Sequence, residues 1–272
     1  MDEISELEAP PREEAIAMRS FAPCPALAPL VRCLEVVEAR APATRVLFPE
    51  PGLVLGFRYR GRSTILGEAG GQPIPDHVVT GIRATVRRMH TAGDSGIVVA
   101  KLGDGGALPF LRGSPHRLFG RWEPLDRQLD PGALRTLSAR LREATGDGER
   151  VALVERFLLD QRGPAAPDPL ALEAARALRA AHGALRIADL ARGLHVSLDA
   201  LEKRFRRTIG ASPKQLASLL RLRCALEGHR PGAPLGPLAL ASGYCDQSHF
   251  VRALRRTAGE PPGAFLGRAD RC

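Results

Sequence analysis

Apolar positions follow two different periods along the chain. Between Ala26 and Leu102 they come as short β-favouring runs: Leu30-Val31, Leu34 to Val37, Arg45 to Phe48, Leu53 to Arg60, His77 to Thr80, Ala84 to His90 and Ile97 to Leu102. Glu50-Pro51-Gly52, Tyr59-Arg60-Gly61, Ala92-Gly93-Asp94 and Gly103-Asp104-Gly105-Gly106 break these runs with turn residues. Short strands at such intervals predict a small β-barrel or sandwich. From Pro109-Phe110-Leu111 and Leu118 onward the pattern turns helical. Asp130-Pro131 pairs a cap with a helix-compatible first residue and predicts a helix to about Ala144. Glu149 to Gln161 predicts a second helix with Val151, Val154, Phe157 and Leu158 on its apolar face. Residues 1–20 are acidic, contain Pro10-Pro11 and have no clear period, so a frayed tail or short solvated helix is expected.

Residues 162–168, RGPAAPD, have neither helical period nor alternation and read as a linker. Beyond it the chain is helical throughout. Asp168-Pro169 starts a helix that Gly183 closes. Ile187, Leu190 and Ala191 then form the inner face of a short helix, and Leu194-His195-Val196 form a turn. Ser197 caps a further helix whose Leu198, Leu201, Phe205 and Ile209 are expected in the core and whose Asp199, Glu202, Lys203 and Arg206 face outward. Gly210 ends it, and Ser212-Pro213 opens a long helix to Glu227. After a loop from Gly228 to Pro234, Leu238, Ala239, Ala241 and Ser242 form a short helix closed by Gly243. Gly236-Pro237 should delay the start of that helix to Pro237. Asp246 caps the last main helix, with Phe250 and Leu254 inward and Ser248, His249, Arg252, Arg255 and Arg256 outward. The two caps, Ser197 and Asp246, lie 49 residues apart. Two short-helix, turn, basic-helix units joined by one long helix form a tandem helix–turn–helix, a device for reading the DNA major groove.

Charge strengthens that reading. The formal charge of +9 lies entirely in residues 170–272, which hold 17 Lys and Arg against 8 Asp and Glu. Residues 1–169 balance at 22 against 22. A surface that binds phosphates requires such segregation, whereas solubility alone does not. The five cysteines are odd in number and have no C-x-x-C spacing, so neither a disulfide framework nor a zinc site is indicated. No apolar run reaches membrane-spanning length and the N-terminus is acidic, so a cytoplasmic chain with no membrane partner is expected.

The segment 235–266 resembles the second helix–turn–helix of AraC/XylS-type transcriptional regulators through Ala239, Gly243-Tyr244, Gln247-Ser248-His249-Phe250, Arg255-Arg256 and Gly259-x-x-Pro262. The resemblance extends over about residues 168–266. More diffusely, Pro25-x-Leu27-x-Pro29-Leu30-Val31-Arg32, Val54 to Phe57, Phe110-Leu111 and Trp122-x-Pro124-Leu125 resemble the N-terminal sensor domain of one subgroup. The resemblance implies a 21–161 domain of α+β class, a small cupin-like β-barrel or sandwich followed by helices. A 169–268 all-α DNA-binding domain would follow. It also implies base-reading positions at Asp199, Glu202 and Lys203 in the first unit and at Gln247, Ser248 and Arg252 in the second. Lys203 suits guanine and Glu202 cytosine. Ser197, Arg204, Arg206, Arg207, His249, Arg255 and Arg256 are the candidates for phosphate contacts, which position without specifying.

The expected function is sequence-specific DNA binding by a transcriptional regulator, with double-stranded DNA as partner. A small-molecule effector, RNA polymerase and a second copy of the chain are the further candidates. Phe48, Phe57, Tyr59, Phe110 and Trp122 are candidates to line an effector pocket. The rival reading is a metal- or thiol-dependent enzyme fused to the DNA-binding domain. Against it, the spacing of His77, His90 and His116 matches no metal-ligand pattern. Cys24 and Cys33 lack a Cys-His-Arg context, and Gly103-Asp104-Gly105-Gly106 lacks the Lys-Ser/Thr of a phosphate loop. No catalytic set, cofactor or metal is expected.

Overall fold

The computed structural model describes residues 16–67 and 70–269. Ten strands come first. Six form one antiparallel sheet in the order β1 (Ile16–Phe21), β2 (Val31–Ala39), β9 (Ser95–Leu102), β4 (Val54–Arg60), β7 (His77–Thr80) and β10 (Trp122–Pro124). Four form a second, in the order β3 (Ala43–Leu47), β8 (Arg87–Thr91), β5 (Ser63–Gly67) and β6 (Gly70–Pro73). One face of the larger sheet is apolar at its centre: Leu34, Val36, Leu55, Phe57, Val98 and Ala100, paired across β2, β9 and β4, are completely buried. Helices cover the sheet, α1 (Pro131–Glu143) packed on β4 and α2 (Asp147–Asp160) packed on β2 and β9. Phe157 of α2 meets Phe57 edge-on, with ring centroids 5.6 Å apart. Asp130 caps α1 through the Ala133 amide, as the Asp-Pro pair predicts.

Four strands depart from the sequence expectation. Residues 16–21 are an edge strand, not tail or helix, although residues 1–15 of that expectation lie outside the described residues. Arg19 holds the strand down by ion pairs to Glu38 of β2 and Asp147 of α2. The β5–β6 hairpin was unmarked by pattern because Gly-Gly-Gln-Pro is fully exposed and has no apolar side. β10 is only three residues long and borrows its pairing from β7.

The helical half consists of α3 (Pro169–Ala180), α4 (Ile187–Gly193), α5 (Leu198–Ile209), α6 (Pro213–Glu227), α7 (Leu235–Ala241), α8 (Gln247–Ala258) and α9 (Pro262–Ala269). Residues 161–168 carry neither helix nor strand. This connection is nevertheless packed: a Cβ on Gly105, whose φ is +70°, would lie 2.5 Å from Cβ of Pro167. One buried cluster runs from Leu27, Leu55 and Phe57 across to Phe205, Ile209 and Leu216. A second holds Leu222, Ala225, Tyr244, Phe250, Leu254 and Phe265, with Val46, Phe48 and Val86 of the β half packed against it. α6 therefore serves both clusters, through Leu216 and Leu219 at one end and Leu222 and Ala225 at the other.

Ion pairs fix the two halves together. Arg179 of α3 forks onto both carboxylate oxygens of Asp104 at 2.6 Å and donates to the Pro51 carbonyl at 2.7 Å. Glu50 lies among Lys101 at 3.2 Å, Arg32 at 2.9 Å and Arg223 of α6 at 3.8 Å. Burial would raise the Glu50 carboxyl, but the charges of Lys101, Arg223 and Arg32 outweigh it and hold the group below the usual range.

Candidate nucleic-acid interface

The two helix–turn–helix units repeat one local construction. In the first, His195 takes a left-handed conformation (φ 55°) and the Val196 amide donates to the Ala191 carbonyl at 3.1 Å. In the second, Gly243 is left-handed (φ 77°) and the Tyr244 amide donates to the Ala239 carbonyl at 2.9 Å. Those positions lie 48 residues apart, Ala191 to Ala239 and His195 to Gly243. The caps lie 49 apart, so the second turn is one residue longer. Ser197 Oγ accepts from the Ala200 amide at 3.2 Å, and Asp246 Oδ1 from the His249 amide at 2.6 Å. Gly210 and Gly259 end the two helices with φ of 91° and 75°.

This repeat sets α5 and α8 in register. Leu201, Phe205 and Ile209 correspond to Phe250, Leu254 and Ala258, all buried. On the opposite face Lys203 corresponds to Arg252, Asp199 to Ser248, Arg206 to Arg255 and Arg207 to Arg256. Lys203, Arg252, Asp199, Ser248 and Gln247 are exposed. Among the described residues Lys203, Arg207, Arg252, Arg255 and Arg256 have no ion-pair partner, so those cations remain available to an outside anion.

Other expected contacts are engaged inside the protein. Arg204 leans 3.6 Å from Asp168, the cap of α3. Arg206 pairs with Glu202 one turn back on α5. His249 stacks edge-on against Tyr244 at 5.2 Å. Tyr244 is itself fixed under the Arg221 guanidinium, and burial pushes its hydroxyl up to about 12. Leu198, expected in the core, is 53% exposed. It occupies the first turn of α5, ahead of the stretch that α3 and α6 cover.

The second supporting helix also begins earlier than expected. α7 starts at Leu235, with Pro234 as its cap and Pro237 inside the first turn. A first-turn amide has no acceptor within the helix, so proline is tolerated there.

The five aromatics expected in a pocket do not converge. Phe57 and Phe110 are core side chains at 0% and 1% exposure. The Tyr59 hydroxyl donates to Glu38, and Phe48 packs on Phe265 of α9 with centroids 6.2 Å apart. Trp122 borders the cavity described below, and the other four do not line it. The three histidines likewise lie apart: His77 bonds Ser138 at 2.5 Å, His90 bonds Thr44 at 3.1 Å, and His116 faces Phe119. Among the described residues no group of three or more His, Cys, Asp or Glu side chains is arranged to hold a metal ion. None of the helices among them is long and apolar enough to cross a membrane.

Sequence reasoning passed over four arginines, Arg112, Arg117, Arg121 and Arg127, crowded into one short segment of an otherwise neutral half. A local charge count would have found them.

Solved structures with similar folds include ToxT from Vibrio cholerae O395 bound to (E)-4-(8-methylnaphthalen-1-yl)but-3-enoic acid. That pair is 13% identical, covers 94% of this chain and 99% of that one, and has a TM-score of 0.47. The AraC-like transcriptional activator CuxR is 14% identical, over 85% of this chain and 93% of that one, at a TM-score of 0.32. A DNA-binding transcriptional dual regulator from Escherichia coli K-12 is 21% identical over 40% of this chain and all of that one, at 0.33. No curated protein sequence matches the chain. Residues 190–268, from α4 to α9, match the family model described as a helix-turn-helix domain. Over that region the chain carries a helix-turn-helix domain.

Proposed function

We propose that this chain regulates transcription by binding specific duplex sequences with both helix–turn–helix units, in adjacent major grooves about one helical turn, roughly 34 Å, apart. The observation that carries this reading is the shared register of α5 and α8. It places a free cation at the same point of each helix, Lys203 in one and Arg252 in the other. Each can donate to guanine O6 and N7. Asp199 and Ser248 flank them in the first turn, and Glu202 and Gln247 complete the reading set. Arg207, Arg255 and Arg256 hold phosphates, joined by Ser197 and His249 at the helix starts. Residues 21–161 act as a regulatory domain, responding to an effector or pairing with a second copy. Residues 169–268 act as the DNA-binding domain in the cytoplasm.

Footprinting tests this directly. Full-length protein is used to recover a fragment from sheared genomic DNA, and hydroxyl radicals map its contacts. Two protected patches one turn apart on the same face are expected. Uniform protection along the fragment would contradict sequence-specific docking.

A further inference from the structure

A cavity of about 740 Å³ opens between the β half and the first recognition helix. One wall is the segment 111–128, which includes a 3₁₀ turn, Pro115–Leu118. The other is formed by Arg206 of α5 and Gln215 of α6. The two walls are in direct contact below it. A Cβ on Gly210, at the end of α5, would lie 3.1 Å from Cβ of Pro115 and 3.2 Å from the Leu53 side chain. The volume suits a small organic molecule.

Its lining is strongly cationic. Arg112, Arg117, Arg121, Arg127 and Arg206 converge on the space, and Glu123 is the one carboxylate among the lining residues. Glu123 is already taken up as an acceptor for the Gln128 amide. Among the described residues Arg117, Arg121 and Arg127 have no ion-pair partner. Cations gathered in a concavity repel one another more than on a convex, solvated face, and an oxyanion relieves that repulsion. Guanidinium groups are also the side chains best shaped for bidentate contacts with carboxylate or phosphate. Two lining residues carry buried nitrogens with no hydrogen-bond partner, Arg206 Nε and His116 Nδ1. A buried polar atom left unpaired is costly. Trp122 and Phe119 supply flat apolar surface that a bare inorganic ion would leave wet.

We propose that this cavity binds a small organic anion with two or more phosphate or carboxylate groups, and that Arg206 transmits its presence to the reading face of α5. Arg206 is paired with Glu202, a member of the proposed reading set. An anion that engages Arg206 releases that carboxylate into the groove-facing surface. The transmission rests on the DNA-reading function proposed above; the binding does not.

Trp122 is the chain's single tryptophan and lines the cavity, so its fluorescence reports occupancy of the free protein. Full-length protein is titrated with ATP, pyrophosphate and citrate at constant ionic strength and without DNA. A saturable change with at least one probe is expected, and the probes separate phosphate from carboxylate preference. Arg117→Ala and Arg121→Ala should each weaken the response by about tenfold. Arg135→Ala, on an exposed position of α1 away from the cavity, should leave it unchanged. No saturable change, or equal affinity in all three variants, overturns the site. A response to duplex DNA and to none of the three probes overturns it in favour of a DNA phosphate. In a second arm, the bound probe should shift duplex affinity several-fold in the parent and not in Arg206→Gln. A filled cavity that leaves duplex affinity unaltered overturns the link through Arg206.

Discussion

The backbone amide of Val86 donates to the carbonyl of Thr257 at 2.8 Å, joining a loop of the β half to the last turn of the second recognition helix. Arg83 holds that loop in place, donating to the carbonyls of Leu47 and Phe48 at 2.7 and 2.9 Å and of Thr85 at 3.1 Å. Phe48 is thereby set against Phe265. The second unit, whose own core is small, thus completes its packing on the β half.

Phe265→Ala is expected to cost about 3 kcal/mol, the usual loss for a buried phenylalanine. Urea unfolding of the full-length chain measures it. The footprint of the second unit should fade before that of the first. A cost under about 1 kcal/mol would mean that the contact contributes little.

Lys203→Ala and Arg252→Ala should each lose about 1–3 kcal/mol on the specific site and relax preference at one base position. Competition binding against random duplex measures both quantities. Parental discrimination in both variants would show that the reading face lies elsewhere.

Arg207→Ala and Arg255→Ala should weaken binding to every duplex. The slope of log affinity against log salt should flatten by about one unit in each. Lost discrimination at an unchanged slope would remove them from the phosphate set.

Glu50→Gln should destabilise the protein by about 1–3 kcal/mol at neutral pH, because Lys101, Arg32 and Arg223 lose their shared carboxylate. The folded carboxyl is held below its ordinary value. Its contribution is therefore fully present above the unfolded value, about 4.3, and is lost as pH falls through the lower folded value. Unfolding midpoints of parent and variant should converge toward pH 3. A gap that widens on acidification would contradict the assignment of Glu50.

The helical half was legible because its signals are local. Ser197, Ser212-Pro213 and Asp246 mark helix starts, Gly210 and Gly259 mark ends, and each acts on its own turn. The capping box that joins Ser212 and Gln215 is written within four residues. The β half was legible only where burial is one-sided or complete. The apolar residues of the Ile16–Phe21 edge strand do not alternate with polar ones and the Gly70–Pro73 strand has none that pack, so neither shows the period of a half-buried strand. Leu198 shows the same limit from the other side. Its spacing fits the buried stripe of α5, yet no element reaches over the first turn to cover it. The Glu50 ion pairs and the arginine-lined cavity combine residues from both halves, and no period or motif encodes such a meeting.

Selection of bound sites from random duplex DNA by the full-length protein tests the central claim most directly. A two-part motif with half-sites centred about 10–10.5 base pairs apart is expected. Lys203→Ala should degrade one half of that motif and Arg252→Ala the other. Recovery of no enriched motif, or of one that both variants select unchanged, would contradict it.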